Sequence, residues 1–261
     1  MESKTTILII SYFFFPDKKV GALRTHYWYQ NLEKHSNIEP HIITATPEAK
    51  GKNIHLVPNL KKANTFNLIK DVGATWQQEV KEYLLQNEIE KPDICLISGS
   101  PFMQFGLTNF LKKRYQCKVI LDYRDPFAVN PAFGNSPIKI AIKKYFERKF
   151  NRAATALVTV NDYCGKLIVN FNSKPNRIIQ NGYDDSLHPT LKPVDLAAPS
   201  FAYTGKLYFD ISPIAKAMQV AKTPLTVVGP DELTPQQSHK YCTSLGFVSY
   251  SEAVSLIAKS D

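Results

Sequence analysis

Short runs of apolar residues alternate along the chain with longer stretches in which apolar residues recur every three or four positions. Uninterrupted short runs are typical of strands buried on both faces, and the periodic stretches are typical of helices. The first strand-like runs are Thr6–Ser11, His41–Ala45, Ile54–Val57, Ile94–Ser98, Val119–Asp122, Ala156–Val160 and Arg177–Gln180. The helical stretches between them are Leu23–Lys34, Thr65–Asn87, Phe102–Tyr115 and Ile138–Asn151. This alternation predicts an α/β domain over residues 1–184, with a doubly wound, Rossmann-like parallel sheet.

The alternation is interrupted once and then resumes. Residues 185–200 contain three prolines and little periodicity, so they predict a linker. Strands are then predicted at Phe201–Thr204, Leu225–Val228 and Phe247–Val248, and helices at Ile211–Val220, Pro235–Ser244 and Glu252–Lys259. Domains commonly contain about 100–150 residues. We therefore expect residues 201–261 to form an incomplete second Rossmann-like domain.

The composition narrows the class of protein. Of the 261 residues, 44% are hydrophobic and 21% are charged, as in ordinary globular proteins. The apolar run Ile7–Ile10 is too short for a signal peptide, and no run approaches the roughly 18 residues of a membrane span, so we expect a cytoplasmic protein. The four cysteines are scattered and no histidine stands at ligand spacing, which predicts neither a disulfide framework nor a metal site.

The net charge of +9 is compatible with nucleic acid, anionic lipid or a phosphorylated ligand. No nucleic-acid recognition motif is present, and aromatic residues do not interleave with the basic runs, so we expect no nucleic acid partner. Residues 138–152 combine six basic residues with an apolar set that is expected to face the core (Ile138, Ile142, Tyr145 and Phe146). Two interpretations are open: a solvated basic face, or peripheral contact with an anionic membrane at its inner face.

Ligands of doubly wound sheets bind beyond the carboxyl ends of the strands, which directs the search for chemistry. Gly21 follows the first strand and would open the first helix. One interpretation is an anion site, because a small residue there lets backbone N–H groups approach an anion. The alternative is an ordinary strand-to-helix loop.

The segment Asp122–Pro126 places two carboxylates and a guanidinium at the end of a predicted central strand. One interpretation is an active-site edge, where Arg124 binds an anion and Asp125 orients a hydroxyl. The other is an Arg–Asp pair that closes the loop. Because charges are costly to bury and tend to pair or to face a cleft, we favour the first.

Three further positions follow predicted strands. Asn181 and Gly182, with Asp184, form either a hinge turn or part of a cleft. Lys206 follows Gly205 at the end of the first strand after the linker, where a lysine can neutralise a diphosphate or simply be solvated. Gly229 follows the next strand and occupies the same kind of position.

A set of segments, taken in order, resembles the family 4 glycosyltransferases. The segments are ILIISYFFFP, HIITA, KPDICLISGSP, VILDYRDPF, ALVTVND, RIIQNGYD, FAYTGKLY, TPLTVVG and LGFVSYSEAVSLIAKSD. They cover nearly the whole chain, and their order is more specific than any one motif. The resemblance implies the GT-B fold, with an acceptor-side N-terminal domain and a C-terminal domain for the nucleotide sugar. It also implies transfer with retention, without a metal or another cofactor.

The resemblance also assigns residues. Gly21 matches a position near the donor phosphates, and Lys206 matches the basic residue on the diphosphate. Arg124 stands where many members carry histidine, in what looks like a D-x-R-D variant. Where the family has a second basic residue, this sequence has Ser212. Where the family often has two adjacent glycines, this sequence has Gly21 followed by Ala22. Its two donor-site glutamates would lie beyond the end of this sequence, which therefore resembles a C-terminally truncated member.

The resemblance implies a transferase that moves a sugar from a nucleotide-sugar donor to a glycan or lipid-linked acceptor. In this family such reactions commonly build cell-surface polysaccharide or lipopolysaccharide. The alternative is a non-catalytic module that binds an acceptor or depends on a partner, since the donor-site glutamates are not in the sequence.

Overall fold

The computed structural model describes residues 4–17, 19–60, 69–130, 136–182, 199–207 and 209–260, with only the backbone at Tyr250. The chain divides into two compact units, between Gly182 and Tyr183. Asp184 and residues 185–198 of the predicted linker lie outside the described residues. Among the residues that are described, no helix is long and apolar enough to cross a membrane.

The first unit alternates strands and helices as predicted. Its strands are β1 (Thr5–Ser11), β2 (Ile38–Thr44), β3 (Ile54–Leu56), β4 (Ile94–Ser98), β5 (Lys118–Tyr123), β6 (Ala156–Thr159) and β7 (Asn176–Ile178). Its helices are α1 (Val20–Glu33), α2 (Gly73–Gln86), α3 (Thr108–Tyr115), α4 (Pro137–Ala153) and α5 (Asp162–Leu167). All neighbouring strands are parallel, in the order β3-β2-β1-β4-β5-β6-β7. The order reverses between β1 and β4, so the sheet is doubly wound and has a topological switch point there.

Both faces of the central strands are covered, which explains their uninterrupted apolar runs. Leu8 and Ile10 of β1 pack with Ile97 in one core cluster. Ile9, which points to the opposite face, packs with Ile42 in another. Successive side chains of a strand alternate between faces, so each face receives its own apolar layer.

The second unit is smaller and follows the same plan. Its described elements are β8 (Phe201–Thr204), α6 (Ser212–Ala221), β9 (Leu225–Val228), β10 (Cys242–Gly246) and α7 (Tyr250–Lys259). Three parallel strands pair in the order β10-β9-β8. This confirms the predicted fold class, a doubly wound sheet followed by a second parallel sheet.

The prediction was wrong in the segment before β10. Residues Pro235–Ser244 do not form a helix, and the strand begins at Cys242 rather than at Phe247. The segment has almost no apolar residues to bury, and helices are stabilised mainly by packing an apolar face. Instead, Gln237 accepts a hydrogen bond from the backbone N–H of Thr234 in a turn.

Helix α2 was predicted over Thr65–Asn87, of which residues 65–68 lie outside the described residues; residues 69–72 are not helical. Asp71 accepts a hydrogen bond from the backbone N–H of Gly73 at 2.8 Å, and the helix begins at that glycine. The other oxygen of Asp71 accepts from the backbone N–H of Phe102 at 2.8 Å. Burial raises the pKa of this carboxyl, and the backbone donors oppose the rise.

Helix α4 matches its predicted orientation only in part, since Phe146 packs against the core as expected. Ile138 and Tyr145 were expected to face the core but are 72% and 60% exposed. The buried residues are Glu147, Phe150 and Asn151. The helix therefore buries a narrow stripe near its C-terminus and exposes an aromatic and aliphatic surface among its basic residues.

Candidate active site

Strands β1, β4 and β5 are adjacent in the sheet, and their carboxyl ends bring two of the predicted segments together beside the end of β4. Gly21 follows β1, Asp122 to Asp125 lie at and just after the end of β5, and residues 98–100 lie at and just after the end of β4. This is the switch point, where the connections on either side diverge and leave a crevice.

Asp122 is fully buried and pairs with Arg24 of α1. The two side chains are 0% and 4% exposed. Two parallel hydrogen bonds of 3.1 Å join the guanidinium to the carboxylate, and the hydroxyl of Ser98 donates a third at 3.1 Å. Burial raises the pKa of Asp122, and the charge of Arg24 is the main influence opposing that rise.

Arg24 also reaches the end of β7. Its Nη atoms donate to the carbonyl oxygens of Ile179 and Gln180 at 3.0 and 3.2 Å, and to Oδ1 of Asn181 at 3.1 Å. Together with the two bonds to Asp122, these contacts use all five N–H groups of the guanidinium. Arg24 therefore ties α1, β5 and β7 together, and Asn181 is part of this structural network.

Sequence reasoning missed Arg24. It lies inside a helix, whereas ligand-binding residues were expected just beyond the carboxyl ends of strands. The available signal was its spacing: Arg24 comes one helical turn after Gly21, on the helix that opens at the switch point.

Arg124 has a different environment from Arg24. Its side chain is half-buried, its Nε atom donates to the carbonyl oxygen of Gly99, and its Nη2 atom donates to that of Ser100 at 3.0 Å. Its Nη1 atom makes no hydrogen bond to the described residues. Burial lowers the pKa of Arg124, although the carboxylates of Asp122 and Asp125 oppose this.

Gly21 lies directly against Arg124. A Cβ atom added at Gly21 would collide with the guanidinium group, so a side chain at this position would displace Arg124 from its observed position. No side chain caps α1, and its first turn holds no acidic residue. An anchored guanidinium beside an uncapped helix N-terminus is an electropositive arrangement suited to an anion.

Asp125 is exposed and makes no hydrogen bond among the described residues. It lies near α5: burial raises the pKa of the Cys164 thiol, and the Asp125 carboxylate adds to that rise. The described residues show no hydrogen bond or ion pair between Arg124 and either aspartate of its own segment, because Asp122 pairs with Arg24 instead. Arg124 and Asp125 remain at the edge of the crevice.

Buried polar contacts hold the segment that carries Arg124. The hydroxyl of Tyr123 donates to Asn151 of α4 at 2.7 Å, and Asn151 donates to the carbonyl oxygen of Val169 at 2.6 Å. Tyr123 and Asn151 are buried, and such a bonded chain fixes the strand end relative to α4.

A groove of about 380 Å³ opens beside the carboxyl ends of β1 and β2. It is lined by Tyr12, Phe13, Pro16, Asp17, Thr46 and Glu48, among others. Aromatic walls with a few polar groups are usual in binding sites for small ligands.

In the second unit, the glycines after β8 and β9 touch each other. Gly205 has a φ of 139°, which L side chains rarely adopt, and its N–H donates to the carbonyl oxygen of Val228 at 2.8 Å. A Cβ atom added at Gly229 would collide with the carbonyl of Gly205. Both glycines are therefore required by the backbone packing at this sheet edge.

Lys206 lies next to these glycines and is exposed. Its carbonyl oxygen accepts a hydrogen bond from the hydroxyl of Tyr203 at 2.8 Å. The following N–H, of Leu207, donates to Asp231 at 2.6 Å. These bonds fix the backbone that carries Lys206. Around Gly182, by contrast, no atom of the described residues lies within 4 Å of an added Cβ.

Neither the protein-family models nor the curated proteins include a match to this sequence. Solved structures do match. A sucrose-phosphate synthase from Thermosynechococcus elongatus is 14% identical, with a TM-score of 0.66 over 97% of this chain and 73% of its own. The lipopolysaccharide outer core galactosyltransferase WaaB is 11% identical, with a TM-score of 0.58 over 94% and 69%. Anabaena HepE, in complex with UDP-glucose, is 11% identical, with a TM-score of 0.55 over 94% and 69%.

These similarities and the two parallel sheets define the architecture as the GT-B fold. At these identities the comparison establishes the fold alone, because one fold hosts many chemistries. The reaction must be argued from the residues at the strand ends.

Proposed function

We propose that this protein is a glycosyltransferase that moves a sugar from a nucleotide-sugar donor to a glycan or lipid-linked acceptor. The observation that carries the proposal is the electropositive switch point, where Arg124 is anchored against Gly21 at the uncapped N-terminus of α1. When a sugar leaves a diphosphate, negative charge develops on the phosphate oxygens. Fixed cations and N–H dipoles stabilise that charge without having to reorganise.

We assign donor binding to Lys206 with Gly205 and Gly229, and to Gly21 at the start of α1. The contact between the two second-unit glycines keeps side chains away from that sheet edge, so backbone groups can approach a phosphate. Lys206 supplies a cation on a backbone fixed by hydrogen bonds. The complex of HepE with UDP-glucose, a nucleotide sugar, supports this class of donor.

We assign Arg124 and Asp125 to the chemistry. Arg124 would stabilise the leaving phosphate, and the exposed carboxylate of Asp125 would orient the attacking hydroxyl of the acceptor. The groove of about 380 Å³ beside β1 and β2 is our candidate for the acceptor. Its aromatic residues Tyr12 and Phe13 would contact the ring faces of a sugar, and its polar groups would orient the ring.

The resemblance to family 4 motivates three finer proposals. The sugar is transferred with retention, no metal ion takes part in the chemistry, and the product belongs to a cell-surface polysaccharide or lipopolysaccharide. The likeness to WaaB, a lipopolysaccharide galactosyltransferase, supports the last of these.

We further propose that helix α4 contacts an anionic membrane, where a lipid-linked acceptor would be found. The exposed Ile138 and Tyr145 lie among basic residues, and a groove of about 330 Å³ is lined by Tyr145, Arg148, Lys149 and Arg152. Aromatic and basic side chains together favour an anionic interface. Flotation with anionic vesicles should fall for Tyr145→Ser, whereas equal flotation of variant and wild type would rule the contact out.

A transfer assay tests the proposed function. The chain is incubated with UDP-, GDP- and ADP-sugars and alkyl glycosides as acceptors, and the released nucleoside diphosphate and the product mass are measured. We expect Arg124→Ala to lower the rate on the order of 100-fold, and Asp125→Asn to lower it about tenfold or more. Lys216→Ala, an exposed lysine on α6, is the matched control. The anomeric configuration of the product tests retention.

Two results would redirect the proposal. Conversion of the nucleotide sugar without diphosphate release would indicate isomerisation instead of transfer. Binding of alkyl glycosides by a folded chain that releases no diphosphate from any donor would favour the alternative, a non-catalytic acceptor-binding or partner-dependent module.

A further inference from the structure

Three ligand-type side chains meet at the amino end of the first sheet, opposite the candidate active site. They are Glu39 and His41 of β2, and Glu90 in the connection that leads to β4. One ligand atom from each lies within 4.8 Å of the other two. Glu39 and His41 are two positions apart on a strand, so their side chains share a face of the sheet.

His41 is oriented toward the two carboxylates by a chain of partly buried contacts. Its Nδ1 atom is 3.3 Å from Nε2 of His55, and Nδ1 of His55 is 3.0 Å from the hydroxyl of Tyr83. His41 is only 7% exposed, and its Nε2 atom is buried without a hydrogen-bond partner among the described residues. The carboxylate oxygen of Glu90 lies 3.5 Å from that nitrogen.

The cluster therefore brings a buried imidazole nitrogen that has no hydrogen-bond partner among the described residues close to two carboxylates. Imidazole nitrogen and carboxylate oxygen are both common metal ligands. A cation between His41 and Glu90 would give the buried nitrogen a partner. Metal-bound histidines commonly hydrogen-bond through their second nitrogen, as His41 does toward His55.

We propose that Glu39, His41 and Glu90 bind a divalent first-row cation of the zinc class, with water completing the coordination. Two ligands of tetrahedral zinc are separated by about 3.3 Å, close to the 3.5 Å between His41 and Glu90. The imidazole favours zinc over magnesium or calcium, which prefer oxygen ligands alone. The site would tie β2 to the segment before β4, and it is separate from the proposed transfer chemistry.

Two lysines compete with the cation for Glu39. Lys52 donates to Oε1 of Glu39 at 3.1 Å, and Lys4 lies 3.7 Å from Oε2. The hydrogen bond from Lys52 is the main cause that holds the pKa of Glu39 below its usual value. Both lysine side chains are more than half exposed, so they can turn into solvent at little cost. Lys52→Ala should therefore tighten metal binding.

A calorimetric titration of the chelator-treated full chain with Zn²⁺ tests the site, with Mg²⁺ titrated in parallel. Glu90→Gln removes one ligand at an exposed position, so the variant should fold. Glu88→Gln, an exposed neighbour of the same type, is the matched control. We expect one equivalent of Zn²⁺ to bind the wild type and Glu88→Gln, at least tenfold more weakly to Glu90→Gln, and more tightly to Lys52→Ala.

Thermal unfolding gives a second readout. Because a ligand that binds the folded state raises its stability, Zn²⁺ should raise the unfolding midpoint of the wild type and Glu88→Gln but not of Glu90→Gln. Equal binding by wild type and Glu90→Gln would assign the zinc to other groups, such as the free cysteines, and overturn the proposal. It would also be overturned by the absence of saturable Zn²⁺ binding, or by equally tight binding of Mg²⁺.

Discussion

Two arginines at the same edge of the first sheet have different roles because their partners differ. Arg24 uses all five N–H groups on protein acceptors and neutralises the buried Asp122. Arg124 uses its Nε and Nη2 atoms to fix its position, and its Nη1 atom makes no hydrogen bond to the described residues. To stabilise charge in a transition state, a guanidinium must be held in a fixed position and must still have an N–H group that can bond to the ligand. This contrast is why we assign chemistry to Arg124 and structure to Arg24.

Glu147 of α4 offers a test of how buried charge affects stability. The residue is 0% exposed, and burial raises its pKa to about 7, although the backbone N–H of Val169 donates to it at 3.0 Å. A carboxyl whose folded pKa is raised stabilises the fold most below its unfolded pKa of 4.5, and this stabilisation is lost as the pH rises toward 7. Between these values the free energy of unfolding should fall by roughly 3 kcal/mol.

Glu147→Gln should remove this pH dependence. Urea unfolding of variant and wild type at about pH 5 and about pH 7.5 measures the difference, with the exposed Glu88→Gln as control. We expect the free energy of unfolding of the wild type to fall relative to that of Glu147→Gln as the pH rises. The wild type and Glu88→Gln should show the same pH dependence. Parallel pH profiles for the wild type and Glu147→Gln would show that Glu147 ionises normally in the folded chain.

At the scale of elements, strands with two covered faces were the most predictable. Ile94–Ser98 and Leu225–Val228 match their predicted bounds, because an uninterrupted apolar run leaves little choice of limits. Phe201–Thr204 also matches its predicted bounds, although it is an edge strand that is only partly buried. The cap of α5 was also predictable, since Asn161 accepts from the N–H of Cys164 within one turn. Local patterns suffice where the deciding contacts are local.

Other features depend on contacts between distant residues. Helix α2 begins at Gly73 beside Asp71, which also holds Phe102, 31 positions away. Asp122 was placed correctly at a strand end, but its partner Arg24 is 98 positions earlier in the chain. No spacing rule indicates which of two arginines will pair with a given aspartate. The sequence could therefore indicate the edge that holds the candidate site, but not the division of roles within it.

For the whole molecule, the central proposal is that this chain, which has the GT-B fold, uses a nucleotide-sugar donor. The chain spans 69–73% of the three compared structures. A shared fold does not establish the ligand, so the claim rests on the glycines and cations at the strand ends. The leaving group of a nucleotide-sugar donor is a nucleoside diphosphate. Its binding can therefore be tested without knowing which sugar or acceptor the protein uses.

The most direct measurement is a calorimetric titration of the folded chain with UDP, GDP and ADP. We predict that one of them binds saturably, that Lys206→Ala weakens its binding about tenfold, equivalent to about 1.4 kcal/mol, and that Lys216→Ala leaves it unchanged. Failure of all three nucleoside diphosphates to bind the folded chain at millimolar concentration would contradict the account.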